Sequence, residues 1–101
     1  MTEKQFENKV KNFLKSKNIY YFKVWGNAFQ RAGIPDIIAC VNGKFIGIEL
    51  KSEKGRASEL QLWNIKKIRE SGGFAGVYYP KDFERLKGEI NAIISFKSWV
   101  F

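Results

Sequence analysis

Two acids and a lysine, Asp36, Glu49 and Lys51, flank an Asn42-Gly43 pair in a way that brings them together. Asn-Gly between apolar runs is a strong hairpin signal, because a two-residue turn of this kind needs positive φ at both central positions. With that turn closed, Val41 opposes Lys44. Counting outward puts Cys40 opposite Phe45, Ile38 opposite Gly47 and Asp36 opposite Glu49. Directly opposed Cβ atoms lie roughly 4.5–5.5 Å apart, and like charges placed there weaken the strand pair. A divalent cation offsets that repulsion: Mg²⁺ takes oxygen ligands and often uses one or two carboxylates. The strand period adds Lys51 to the face of Glu49, with Gly47 leaving space there, and turns Ile46, Ile48 and Leu50 towards a core. A cation so held would polarise a phosphate and lower the pKa of a bound water. Lys51 would stabilise the negative charge that develops. The plain alternative is a surface Asp at a strand start beside a common Glu-x-Lys pair. Pro35-Asp36, a hairpin and then Glu49-Leu50-Lys51 form a far more specific pattern than Glu-x-Lys alone.

The elements that must position this trio follow from periodicity. Phe6, Val10, Phe13 and Leu14 mark one face of a helix over 3–17. Ile19 to Trp25, rich in β-branched and aromatic residues, predicts a strand. A polar loop, 26–33, leads to a doubly apolar strand over 37–41, the turn, and a return strand over 44–52. After a charged loop, 53–57, a helix over 58–71 is capped by Ser58 and stopped by Gly72-Gly73. A strand over 74–79 and a short helix over 81–88 come next, then an apolar tail from 91. The order is αβββαβα. A helix between the third and fourth strands makes that pair parallel. The expected fold is therefore α/β: one domain, 1–101, built on a mixed four-stranded sheet flanked by helices.

Composition narrows the chemistry. There is no histidine and a single cysteine among 101 residues. This excludes His-ligated zinc, Ser-His-Asp and Cys-His catalysis, and an intramolecular disulfide. Cys40, within an apolar run, is expected to be buried and inert. Eighteen Lys and Arg against ten Asp and Glu give a net charge of +8, which favours a polyanionic partner. Nucleic acid comes first. An anionic membrane surface comes second, because no basic amphipathic helix with a broad apolar face is evident. With no signal-like or 18-residue apolar run, a cytoplasmic location is expected.

Gly33-Ile34-Pro35-Asp36 followed by Ile48-Glu49-Leu50-Lys51 resembles the PD-(D/E)xK nuclease superfamily. Compact size and helix-first order make the chain most similar to its virus-type replication-repair nuclease (VRR-NUC) group in stand-alone form. The resemblance runs to about residue 90 and implies a restriction-endonuclease-like core. It also implies Mg²⁺ or Mn²⁺ held by Asp36, Glu49 and the backbone carbonyl of Leu50, with Lys51 assisting the attacking water. It further implies a structure-selective DNA endonuclease that cleaves Holliday junctions as a homodimer. Two more positions match the pattern. Glu7 matches a first-helix glutamate that completes the metal site. Its alternative is an ordinary surface pair with Lys11 at i+4. Gln61 matches a glutamine that follows the Glu-x-Lys strand, and it also stands third after Ser58 as a capping box requires. Both roles are compatible.

Arg31, Lys54 and Arg56 flank the trio and are candidate DNA-phosphate contacts. Tyr20, Tyr21, Phe22 and Trp25 are core or sheet-face residues first and base-stacking residues second. The apolar tail, with Ile93, Ile94, Phe96, Trp99, Val100 and Phe101, either packs over the sheet or forms a self-association surface. Two rivals remain: the same chemistry on flap, duplex or RNA substrates, and a basic nucleic-acid-binding module without catalysis.

Overall fold

The computed structural model describes residues 1–25 and 32–96. Helix α1 (Glu3–Ser16) opens the chain, with Phe6, Val10 and Leu14 buried at four-residue spacing. Thr2 caps it in a reciprocal box with Gln5, the geometry that satisfies two orphan donors at a helix start. Three strands follow: β1 (Tyr20–Lys23), β2 (Ile37–Val41) and β3 (Lys44–Leu50). Then come α2 (Glu59–Glu70), β4 (Phe74–Tyr78), a 3₁₀ turn at Pro80–Asp82 and α3 (Phe83–Ser95).

The sheet order is β1-β2-β3-β4. The first two pairings are antiparallel, and β3 with β4 is parallel, joined through α2. Asn42 at φ 51° and Gly43 at φ 79° form the turn, and β2 and β3 pair from Val41–Lys44 to Ile37–Ile48. This is the register counted from the sequence. One face of the sheet carries Ile37, Ala39, Val41, Ile46, Ile48 and Leu50 into a core with α1 and α3. Edge-to-face contacts from Phe83 to Phe6 and Phe13 join the two helices. The opposite face receives α2, which packs over β3 and β4. The architecture is the expected α/β mixed sheet flanked by helices. Among the described residues, no helix is long and apolar enough to cross a membrane.

Three expectations are corrected. The third helix runs thirteen residues to Ser95 instead of ending near Gly88. Phe83, Leu86, Ile90 and Ile93 share one helical face against the core, and that face continues through Gly88. The glycine sits on the solvent side, with open space where a Cβ would be. A helix tolerates one such glycine for about 1 kcal/mol. Ile93 and Ile94 are therefore helical, and Trp99, Val100 and Phe101 lie outside the described residues. Second, Cys40 is exposed. It shares a cross-strand row with Tyr20 and Phe45, which are exposed on the same face. Third, the space at Gly47 is already filled. A Cβ there would lie 2.9 Å from Ile68 Cδ1 and 3.1 Å from Pro35 Cγ, so glycine lets α2 sit directly on β3.

Candidate functional site

The lead-in to β2 is pinned by α2. Gly33 adopts φ +82°, and a Cβ there would stand 2.8–2.9 Å from Asn64 Nδ2 and Leu60. Glycine alone fits both the conformation and the space. Asn64, buried, donates to the carbonyls of Leu60 at 2.9 Å and Ala32 at 3.4 Å. Pro35 and Asp36 follow from that anchored turn.

One step beyond Ile37–Ile48, the ladder puts Asp36 beside Glu49. The Leu50 amide donates to Asp36 Oδ2 at 2.8 Å, and the Val24 amide donates to the Asp36 carbonyl at 2.8 Å. Asp36 is thus held from both neighbouring strands. Glu49 is 1% exposed. Its Oε2 accepts from Gln61 Nε2 at 3.0 Å and lies 3.5 Å from Lys51 Nζ. Its Oε1 is buried with no hydrogen-bond partner among the described residues. Burial, then the adjoining Asp36 carboxylate, raises the Glu49 carboxyl to about 8, against the pull of Lys51. The proton that Glu49 retains can be shared with the Asp36 carboxylate. A hard cation held by the two carboxylates would take the place of that proton, so this donor set fits Mg²⁺ or Mn²⁺.

Gln61 serves two roles at once. Its Oε1 accepts from the Ser58 amide at 2.8 Å while Ser58 Oγ accepts from the Gln61 amide at 3.1 Å. This capping box fixes the side chain, and the remaining amide group reaches Glu49. Lys51 lies just past β3, held by its own amide donating to the Tyr78 carbonyl at 3.0 Å. Its side chain is 16% exposed.

Glu7 is placed differently from the expectation. Its buried carboxylate is taken up by Lys4 at 3.1 Å, Lys11 at 3.3 Å and Lys23. Burial pushes the Glu7 carboxyl up, but these lysines outweigh it and hold it down at about 2. Among the described residues, no three acidic, Cys or His side chains are grouped to hold an ion, so Glu7 does not join Asp36 and Glu49 as arranged. The i+4 pair with Lys11 is present, as one bond in a larger cluster. Lys23 is the member that periodicity did not single out. It is brought in from β1, and only the packing of α1 on the sheet could have found it.

Lys54 and Arg56 are exposed on the loop after β3. Together with Tyr79, Pro80 and Lys81 they line a cleft of about 880 Å³. Lys81 was not selected from the sequence. The available signal was the parallel pairing: β3 and β4 end on the same edge of the sheet, where open α/β sheets collect ligand-binding loops. Arg31 lies outside the described residues.

No family model matches the sequence, and a search of curated proteins finds no match. Among solved structures, the chain is similar to a "VRR_NUC domain protein" at a TM-score of 0.74 and 19% identity, covering 92% of this chain and 90% of that one. Over nearly its whole length, the chain shares that protein's fold.

Proposed function

We propose that this chain is a divalent-metal-dependent, structure-selective endonuclease that hydrolyses DNA phosphodiesters, Holliday junctions foremost. The observation that carries the reading is the Asp36–Glu49 pair, with Glu49 Oε1 buried and unpartnered among the described residues. The fold shared with a VRR_NUC domain protein supports a nuclease, and the net charge of +8 supports a polyanionic substrate.

Asp36, Glu49 and the Leu50 carbonyl would hold Mg²⁺ or Mn²⁺. When bound, such a cation supplies Lewis-acid polarisation of a phosphoryl oxygen and a lower pKa for coordinated water. The chain's own groups do the positioning. Gln61 engages Glu49 Oε2 and leaves Oε1 without a protein donor among the described residues. The Leu50 amide fixes the Asp36 carboxylate. Lys51, 3.5 Å from Glu49 Oε2, supplies positive charge where the attacking oxygen and the phosphate become more anionic. Lys54 and Arg56 bind flanking phosphates, and Lys81 joins them across the cleft. A homodimer, associating through the exposed Ile94 and Phe96 at the end of α3, would present two sites related by a two-fold axis, as paired junction cuts require.

The test uses end-labelled four-way junction, flap, linear duplex and RNA with wild type and Asp36→Asn, with and without Mg²⁺. Paired symmetric junction cuts by wild type alone, and only with metal, are expected. Metal-dependent cuts confined to other substrates would discard the junction preference. Tight binding without cleavage in any metal would replace the enzyme with a binding module.

A further inference from the structure

On the face of the sheet that bears Asp36 and Glu49, α2 packs on β4 and on β3 around Gly47. Among the described residues, Tyr20 and Phe22 of β1, Cys40 of β2 and Phe45 at the start of β3 are exposed on this face, with Ile38 buried between them, and the register orders them. Tyr20, Cys40 and Phe45 form one row, and Phe22, Ile38 and Gly47 form the next. The row after that holds Asp36 and Glu49. Successive rows on one face are about 6.6 Å apart, so the rings lie about one and two rows from the acids. Tyr20 is 74% exposed, Phe45 50% and Phe22 48%. Tyr20 and Phe22 meet edge to face, with centroids 6.4 Å apart and planes 65° apart. They do not cover one another as a sandwich would.

Leaving three rings in water needs a reason, and the charge distribution indicates the occupant. The β1–β3 positions on this face are otherwise apolar, apart from the two acids of the proposed site. Around them is a chain of net charge +8, with Lys67 lining a hollow beside Phe45. Rings on a sheet face within a cationic surface suit unpaired nucleotides, whose bases stack on aromatic side chains while lysines meet the backbone. A second copy fits less well. A copy seated on this face would crowd the Asp36–Glu49 row of the proposed site.

We propose that Tyr20, Phe22 and Phe45 form a stacking platform for unpaired bases, seating the single-stranded part of a nucleic-acid substrate beside the acids. This deepens the nuclease reading and rests on it for the role of the neighbouring site. The platform selects substrates with unpaired or splayed segments, because a base inside a duplex has no free π-face to offer.

The test titrates a fluorescein-labelled oligothymidylate, a strand without secondary structure, against the full chain in chelator, followed by anisotropy. Tyr20→Ala and Phe22→Ala are each expected to weaken strand binding about tenfold, while Tyr20→Phe and Phe22→Tyr stay within about twofold of wild type. A duplex of the same length should be bound about equally by all five proteins. Alanine variants that keep wild-type affinity for the strand would overturn the platform, as would equal weakening on the duplex. It would also fall if wild type were dimeric by light scattering and the alanine variants monomeric with unchanged strand affinity, which would assign the face to a second copy. Ring-specific loss of strand binding, with no metal-dependent cleavage of any substrate, would sustain the platform and retire the nuclease reading alone.

Discussion

Glu49→Gln should stabilise the metal-free protein at alkaline pH while abolishing cleavage. Glu49 is almost fully buried. Its carboxyl is raised from 4.5 to about 8 by burial first and by Asp36 second. A raised carboxyl keeps a proton in the folded state that the unfolded chain has released. There is therefore no penalty below about pH 4.5. Stability then declines as pH rises, and the loss is complete above about pH 8. A rise from 4.5 to about 8 corresponds to at most about 5 kcal/mol, and relaxation around the charge brings the expected loss nearer 2 kcal/mol. The substituted glutamine carries no titrating proton. Its carbonyl can still accept from Gln61, and its amide can donate to Asp36. The two proteins should unfold alike near pH 5. Near pH 9, in chelator, the variant should be more stable by about 2 kcal/mol, a rise in Tm of roughly 8–16 °C for a domain of this size. Thermal unfolding followed by circular dichroism measures this. Added Mg²⁺ should then raise wild type more than the variant, because an ion that binds the folded state stabilises it by mass action. The reasoning fails if wild type is no less stable than Glu49→Gln near pH 9 in chelator, or if Mg²⁺ stabilises both equally.

Other perturbations separate roles that share a residue. Ser58→Ala removes the Oγ half of the α2 capping box and should cost about 1 kcal/mol by urea unfolding with cleavage retained; Gln61→Ala leaves that Oγ cap on its own amide but removes the bond to the Ser58 amide and the Glu49 contact, and should lose cleavage in a single-turnover assay. Gly47→Val forces a side chain into Ile68 and Pro35 and should destabilise by about 1–3 kcal/mol; unchanged urea unfolding would mean that α2 does not press on β3. Glu7, held down at about 2, stabilises the fold fully above its unfolded value of 4.5, and the effect is lost as pH falls towards 2. Glu7→Gln should therefore lower stability near pH 7 by at most about 3 kcal/mol and converge with wild type near pH 2, as read by chemical unfolding across pH.

Much of the architecture was legible without coordinates. Periodicity, β-propensity and caps located the four strands and the first two helices, and Asn42-Gly43 determined the β2–β3 register. From that register alone came the opposition of Asp36 to Glu49. Ser58-x-x-Gln61 announced its capping box. These are local facts: a turn type, a period of two and a cap each depend on a few neighbouring residues. What escaped the sequence depends on which surfaces meet. Phe83, Leu86, Ile90 and Ile93 overrode the glycine within α3 because their shared face has a core to bury against. Glu7 went to Lys23 because α1 crosses the strand that carries it. Cys40 and its ring neighbours Tyr20 and Phe45 stayed exposed because α2 seats on β4 and on β3 at Gly47, beyond their row. Burial determines the charge state of Glu49, and burial is set by packing across the whole domain. The sequence could therefore name the acid, but only the tertiary structure could leave one of its oxygens buried and without a partner among the described residues.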